Sequence, residues 1–242
     1  MGFNYYRRIA DQDEIFEVEE VDKIIKFNVL PTLAGGTLLF CATMFITLSI
    51  PFDFVSYLVS MFVYIGVVIA TYAFSMRKQN GLALVFYYTT CVAAGFMQRI
   101  VLYWATLYLG DFAEVKTLFA LAVLGATSVL VGIWILTRAV PSLFKAGSGF
   151  MRWGVWIPFF LVMSLSIYAL FSLIFGNWDI YLLVSSVAGC LIAGIYTIWD
   201  MKMLRSRVAS GRWVFATFRL QVNYFILIVR LFMLLVLGRR RR

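Results

Sequence analysis

Asp200 and Asn223 are the two residues of this chain whose types and positions best fit chemistry inside a membrane. Asp200 closes an apolar run that begins near Ile180, and it is the one carboxylate within a segment long enough to cross a bilayer. An ionised Asp in a membrane helix costs about 2.5–3.5 kcal/mol, so an acid kept there points to a function. Position alone leaves a second interpretation open, in which Asp200 is juxtamembrane and solvated at the headgroups beside Lys202.

The composition indicates which elements must position these residues. Of the 242 residues, 63% are hydrophobic and 14% are charged, whereas soluble chains carry about 25% charged residues. The apolar residues form runs of about 20, the length that a helix needs to cross the hydrocarbon core. The runs do not show the alternating pattern of a membrane β-barrel. These features predict an all-α, polytopic membrane protein.

Seven segments have the length and apolarity of membrane helices, and they predict a seven-helix bundle over residues 24–238. They cover about Phe27–Ile50, Phe54–Met76, Leu82–Leu109, Val115–Leu136, Trp153–Phe175, Ile180–Met201 and Trp213–Leu237. Small residues within them predict close helix packing, notably Gly36, Gly189 and a stripe that runs from Gly125 to Gly132.

The seventh segment is more polar than the others, with Arg219, Gln221, Asn223 and Arg230. A helix with these side chains cannot face lipid on all sides, so we expect it either in the middle of the bundle or re-entering from one face. The position of Arg99 in the third segment allows three interpretations. Its side chain snorkels to the interface, it pairs with an acid on another helix, or it marks an early end of its span.

The charges outside the segments predict the orientation. Residues 1–23 hold seven of the twelve acids and are interpreted as an acidic tail or a short surface helix. The loops on the same side carry nine basic residues: Arg77, Lys78, Arg138, Lys145, Arg152, Lys202, Arg205, Arg207 and Arg212. The positive-inside rule therefore places the N-terminus in the cytosol. The basic tail, residues 239–242, conflicts with that rule if the seventh segment crosses fully, and we expect it to contact anionic lipid and not nucleic acid.

The residue types exclude several classes of function. The chain has no His, which removes Ser/His proteases, His-zinc hydrolases and haem-binding helices. An aspartyl intramembrane protease needs two buried carboxylates and a retinal protein needs a Lys deep in a late helix, and the predicted spans offer neither. Cys41, Cys91 and Cys190 all lie inside apolar runs, without the spacing of metal ligands. We therefore expect no enzyme activity, no metal site and no cofactor.

The sixth and seventh segments resemble the Bax inhibitor motif-containing (TMBIM) family of seven-helix membrane proteins. Trp199-Asp200, preceded by Gly194-Ile-Tyr-Thr-Ile, stands where that family has an aromatic–Asp pair at the end of its sixth helix. Leu220-Gln-Val-Asn223-Tyr-Phe-Ile226-Leu resembles the family's last helix, which has Leu-x-Leu-Asp, two hydrophobic residues and Asn. Helix number and order agree over most of residues 24–238.

The resemblance implies a pore that two facing aspartates close to calcium, with a shared proton and a nearby arginine. Two like charges at close range cannot both ionise cheaply, so such a pair titrates as a unit. This sequence departs from the pattern, because Asn223 replaces the second Asp and Ile226 replaces the following Asn. One titratable proton predicts a weakened, retuned or absent acid-opened latch. Such departures are typical of divergent members, of the kind that large DNA viruses carry.

The resemblance and the intramembrane acid predict a calcium-permeable leak channel that modulates intracellular calcium and cell death. Asp200 and Asn223 form its ion path or latch, and Arg219, Arg230 or Arg99 supplies a counter-charge. The alternative is a non-conducting multi-pass adaptor that alters the stability or trafficking of other membrane proteins. The expected partners are the lipid bilayer with calcium ions in the first case and with other membrane proteins in the second. The expected location is an ER, Golgi or plasma membrane.

Overall fold

The computed structural model describes residues 18–50, 54–139 and 178–240, and every regular element in these ranges is helical. The elements are α1 (Val18–Ile24), a π-helical turn (Ile25–Val29), α2 (Leu30–Ile46), a 3-10 turn (Thr47–Ser49), α3 (Phe54–Met76), α4 (Asn80–Leu109), α5 (Phe112–Ala139), α6 (Trp178–Ala209) and α7 (Trp213–Arg240). With α1 and α2 counted as one rod, six helices in the described ranges are long and apolar enough to cross a membrane. The predicted all-α fold is confirmed, and the chain is a multi-pass integral membrane protein.

The first rod changes its helical geometry just before a proline. Pro31 has no N–H to donate, and its ring would clash with the carbonyl group four residues earlier in a regular α-helix. The π-helical turn Ile25–Val29 widens the backbone at this point, and the N–H of Leu30 bonds to the carbonyl oxygen of Ile25. Helix α2 then begins with Pro31 in its first turn, a position that tolerates proline.

Three turns between the helices contain a residue in the left-handed conformation. Gly110 (φ 74°) and Gly211 (φ 75°) adopt it without strain, whereas Lys78 (φ 58°) is the one such residue with a side chain in the described ranges. That conformation costs a residue with a Cβ atom about 1–2 kcal/mol. After Gly110, Asp111 caps α5 by accepting a 2.8 Å hydrogen bond from the N–H of Ala113.

The contacts divide the chain into two compact units, which are described separately. One unit comprises the described residues up to Met97 together with Met203–Gln221. Within it, α2 and α4 pack closely at two glycines. A Cβ atom on Gly36 would overlap the hydroxyl group of Tyr87, and one on Gly95 would lie 2.5 Å from the carbonyl oxygen of Phe40. The close approach predicted at Gly36 is confirmed.

A buried polar network joins α2, α4 and α7 within this first unit. The hydroxyl oxygen of Tyr87 lies 3.0 Å from the carbonyl oxygen of Thr32 and 2.8 Å from Oε1 of Gln221. The amide nitrogen of Gln221 donates to Oγ1 of Thr37 at 3.0 Å. Tyr87 is fully buried and Gln221 is 1% exposed, so the network replaces the water that these groups would otherwise bind.

The other unit comprises the described residues from Gln98 to Lys202 together with those from Val222 onward. Here a Cβ atom on Gly189 of α6 would lie 2.8 Å from Nε of Arg230, which confirms the predicted close contact at this glycine. A Cβ atom on Gly125 of α5 would lie 3.5 Å from Cδ1 of Leu231, whereas no described residue lies within 4 Å of a Cβ atom on Gly132. Among the described residues, the small-residue stripe of α5 is therefore packed at Gly125.

The start of the first predicted segment and the end of the sixth differ from the structure. The first span starts near Glu20 and not near Phe27, since α1 and the π-helical turn continue into α2. Helix α6 continues to Ala209, so three residues predicted to lie in a loop are helical: Lys202, Arg205 and Arg207. Lys and Arg are good helix formers, and cations are favourable near a helix C-terminus. The fifth predicted segment, 153–175, lies outside the described residues.

Helix α7 runs without interruption for 28 residues, a length of about 42 Å. A re-entrant segment must turn back, so the re-entrant alternative is wrong. At its end, Nε of Arg239 bonds to Oε1 of Glu114 at the start of α5.

In the third span, Arg99 is 4% exposed and α4 continues to Leu109. The span therefore does not end early at Arg99.

Candidate functional site

The side chains of Asp200 and Asn223 are in direct contact between α6 and α7. The amide nitrogen of Asn223 donates a hydrogen bond of 2.9 Å to Oδ2 of Asp200. Asp200 is 1% exposed and Asn223 is 7% exposed. Asp200 is therefore enclosed by protein, so the interpretation in which it is solvated beside Lys202 is wrong.

The face of α6 that carries Asp200 consists of small and polar residues. Ser186, Gly189, Ala193, Thr197 and Asp200 follow each other at intervals of three or four residues, which places them on one side of an α-helix. All five are buried. Small side chains allow α6 to approach its neighbours closely, and a polar group at the end of this row then meets protein instead of lipid.

Helix α7 is the most enclosed of the six membrane-length helices. In its most apolar stretch 61% of the residues are buried, against 17–33% in the other five helices. Burial explains how a helix with Gln221 and Asn223 is stable in a membrane, since neither amide faces lipid. The expectation that the last helix does not face lipid on all sides is confirmed by its burial.

Two hydroxyl groups near the pair were not singled out from the sequence. Thr197 lies one turn before Asp200, is fully buried, and donates to the carbonyl oxygen of Ala193 at 2.7 Å. Tyr224, which follows Asn223, bonds through its hydroxyl to Oγ1 of Thr127 on α5. The spacing of Thr197 and Asp200 was a signal for the first group, whereas nothing in the sequence pairs Tyr224 with Thr127.

The three arginines predicted as counter-charges occupy different surroundings. The side chain of Arg230 lies against Gly189, eleven residues before Asp200 on α6, which is about 16 Å along the helix axis. The structure therefore does not bring Arg230 to the carboxylate. Arg99 is buried in α4, and Arg219 is half-buried in α7. For these two a counter-charge role stays a prediction.

The pair offers oxygen ligands, but few of them. One carboxylate and one amide oxygen suit a weakly held hard cation, whereas a resident Ca²⁺ takes six to eight oxygen ligands. Within the described ranges, no three His, Cys, Asp or Glu side chains come together in a group that could hold a metal ion. The donor set is compatible with passage of a cation and not with tight binding by the side chains described.

These observations define a class: a multi-pass helical membrane protein in which the last two helices are joined through a buried acid and an amide. The chain belongs to the family described as inhibitor of apoptosis-promoting Bax1, whose model matches residues 23–242. The match covers nearly the whole chain, including all of the helices from the π-helical turn onward. The suspected relationship to the Bax inhibitor motif family is confirmed. The comparison with curated proteins gave no match.

Proposed function

We propose that this protein is a calcium-permeable leak channel of cellular membranes that modulates intracellular calcium and cell death. The observation that carries the proposal is the buried Asp200, held by Asn223 between two membrane helices. An acid inside a membrane helix costs free energy, and such acids mark the paths of cations or protons. Family membership supports this function and gives it a physiological setting.

In this mechanism, Asp200 supplies negative charge to a cation path and Asn223 holds the carboxylate in place. The bond between them joins α6 to α7, so breaking it frees one helix from the other at this level. Asn223 carries no proton that titrates in the physiological range, so the pair lacks the second carboxyl group that a shared-proton latch needs. We therefore propose a leak with shallow acid dependence, in contrast to a latch made of two carboxylates.

The N-terminus lies in the cytosol in this proposal, and the membrane is that of the ER, the Golgi or the plasma membrane. The support is the excess of basic residues at the ends of α3 and α6. An N-terminal acid, Asp22, bonds to Arg205 at 3.0 Å, which supports placing α1 on the same side as the end of α6.

The test is calcium flux into proteoliposomes that contain the purified protein. Wild type should pass calcium, and Asp200→Asn should reduce the flux because it removes the charge and keeps the shape and one hydrogen bond. Thr197→Val is the matched control, since it alters a buried polar group one turn away without changing any charge. A wild-type protein that folds in liposomes but passes no calcium would support the non-conducting adaptor instead.

A further inference from the structure

The turns α3–α4 and α6–α7 lie side by side and form a basic surface at one end of the first unit. The amide nitrogen of Asn80 donates to the carbonyl oxygen of Gly211 at 3.0 Å. The stem of Lys78 lies 3.8 Å from the Cβ position of the same glycine. Because both turns connect membrane-length helices, they lie at the level of the lipid headgroups.

The two turns have the same backbone structure. Gln79 N–H donates to the carbonyl oxygen of Phe74, and Arg212 N–H donates to that of Arg207, each with the left-handed residue just before it. This is the Schellman motif, in which the left-handed position is usually Gly. One turn has Gly211 there and the other has the exposed Lys78. A lysine kept at a strained position next to a bilayer points to a use for its charge.

Two buried polar atoms in these turns have no hydrogen-bond partner among the described residues: Nε of Arg212 and Oδ1 of Asn80. The orientation of the Asn80 amide is fixed, because its nitrogen must donate to Gly211. The two atoms left over are thus one donor and one acceptor. A ligand that satisfies both must offer an acceptor oxygen to Arg212 and a hydroxyl group to Asn80.

The charges around these atoms are positive. Arg207 lies over the ring of Phe215 at 5.3 Å, and that ring contacts Tyr72 edge-on, so the cation is fixed in direction. Arg205 bonds to Asp22 and is largely neutralised. Helices α4 and α7 both begin here without an acid in their first turns, so their N-terminal N–H groups add to the positive field.

We propose that the α3–α4 and α6–α7 turns bind the headgroup of an anionic, hydroxyl-bearing phospholipid, such as phosphatidylinositol. The phosphate accepts from Nε of Arg212 and faces Lys78, and a ring hydroxyl donates to Oδ1 of Asn80. Basic residues at this end of a membrane protein follow from topology alone. The positive-inside rule explains neither the strained Lys78 nor the two unsatisfied atoms. These features assign the phosphate to the two turns.

The experiment uses protein in phosphatidylcholine nanodiscs with and without phosphatidylinositol. It measures the melting temperature of the protein and, by native mass spectrometry, the lipid bound to it. Arg212→Lys keeps the charge but removes the Nε donor, and Lys78→Gly removes a charge and relieves the left-handed strain. Lys26→Gln is the control, since it removes an exposed cation of the same unit that is remote from these turns in sequence. Lys78→Gly should melt no lower than wild type in phosphatidylcholine alone.

We expect phosphatidylinositol to stabilise wild type and Lys26→Gln, and to bind Lys78→Gly and Arg212→Lys about fivefold more weakly. Equal stabilisation of all four proteins would overturn the site and leave only general attraction to a charged surface. If soluble glycerophosphoinositol stabilised the protein fully and phosphatidylinositol did not, the ligand would not be a membrane lipid. None of these results depends on calcium flux, so the site stands or falls separately from the proposed channel.

Discussion

Asn223 donates its side-chain amide to the carboxylate of Asp200 at 2.9 Å, and this bond joins α6 to α7 inside the protein. One carboxylate and one amide stand here in place of the two carboxylates of the pattern that the chain resembles. An amide donates to the acid without competing for its proton. The hydrogen bond thus forms without a proton shared between two acids.

Asn223→Asp should introduce a steep acid dependence. Two carboxylates at this distance share one proton and titrate as a unit, and a second proton breaks the shared bond. We expect calcium flux in proteoliposomes to rise on acidification, approaching about tenfold per pH unit over the transition. The exchange variant Asp200→Asn with Asn223→Asp is the control, because it restores one acid and one amide and should return the shallow profile. A flat profile for Asn223→Asp would mean that the two side chains do not act as a pair.

Arg230→Gln should change calcium flux less than Asp200→Asn does. The side chain of Arg230 lies against Gly189, three helical turns from Asp200, and electrostatic coupling weakens with distance. Arg99→Gln in the same flux assay tests another of the arginines predicted as counter-charges. An effect of Arg230→Gln equal to that of Asp200→Asn would show that Arg230 contributes to the cation path directly.

The sequence alone predicted the helical membrane fold, the acid, and the amide that contacts it. These features depend on hydrophobic length and on the high cost of a charge in lipid, which act on each segment separately. Which of the arginines approaches Asp200 depends on packing between helices, and so does the contact of Tyr224 with Thr127. The basic residues after Met201 continue α6 to Ala209 because Lys and Arg favour helix, so the end of the apolar run is not the end of the helix.

Tyr87→Phe should destabilise the protein by about 0.6–1.7 kcal/mol, the range for a buried hydrogen bond in a membrane protein. The hydroxyl group has one proton and lies near two acceptors, the carbonyl oxygen of Thr32 and Oε1 of Gln221, so its proton serves one of them at a time. Unfolding in mixed micelles measures the effect, and Tyr72→Phe is the control because Tyr72 is 49% exposed. In a double-mutant cycle with Gln221→Met, the two changes should cost less together than the sum of each alone. Additive effects would show that the two side chains are not coupled.

Gly95→Ala should destabilise the protein by about 1–3 kcal/mol through overpacking between α2 and α4. The added methyl group would lie 2.5 Å from the carbonyl oxygen of Phe40 and 2.9 Å from Cβ of Thr43. A backbone atom cannot move aside as the end of a side chain can, so the two helices must separate. Gly66→Ala is the matched control in α3, where no atom of the described part of the chain lies within 4 Å of the new methyl group. Alanine is the better helix former there, so that variant should unfold at the same or a higher temperature than wild type. If Gly95→Ala is as stable as Gly66→Ala, α2 and α4 do not pack as closely as the structure shows.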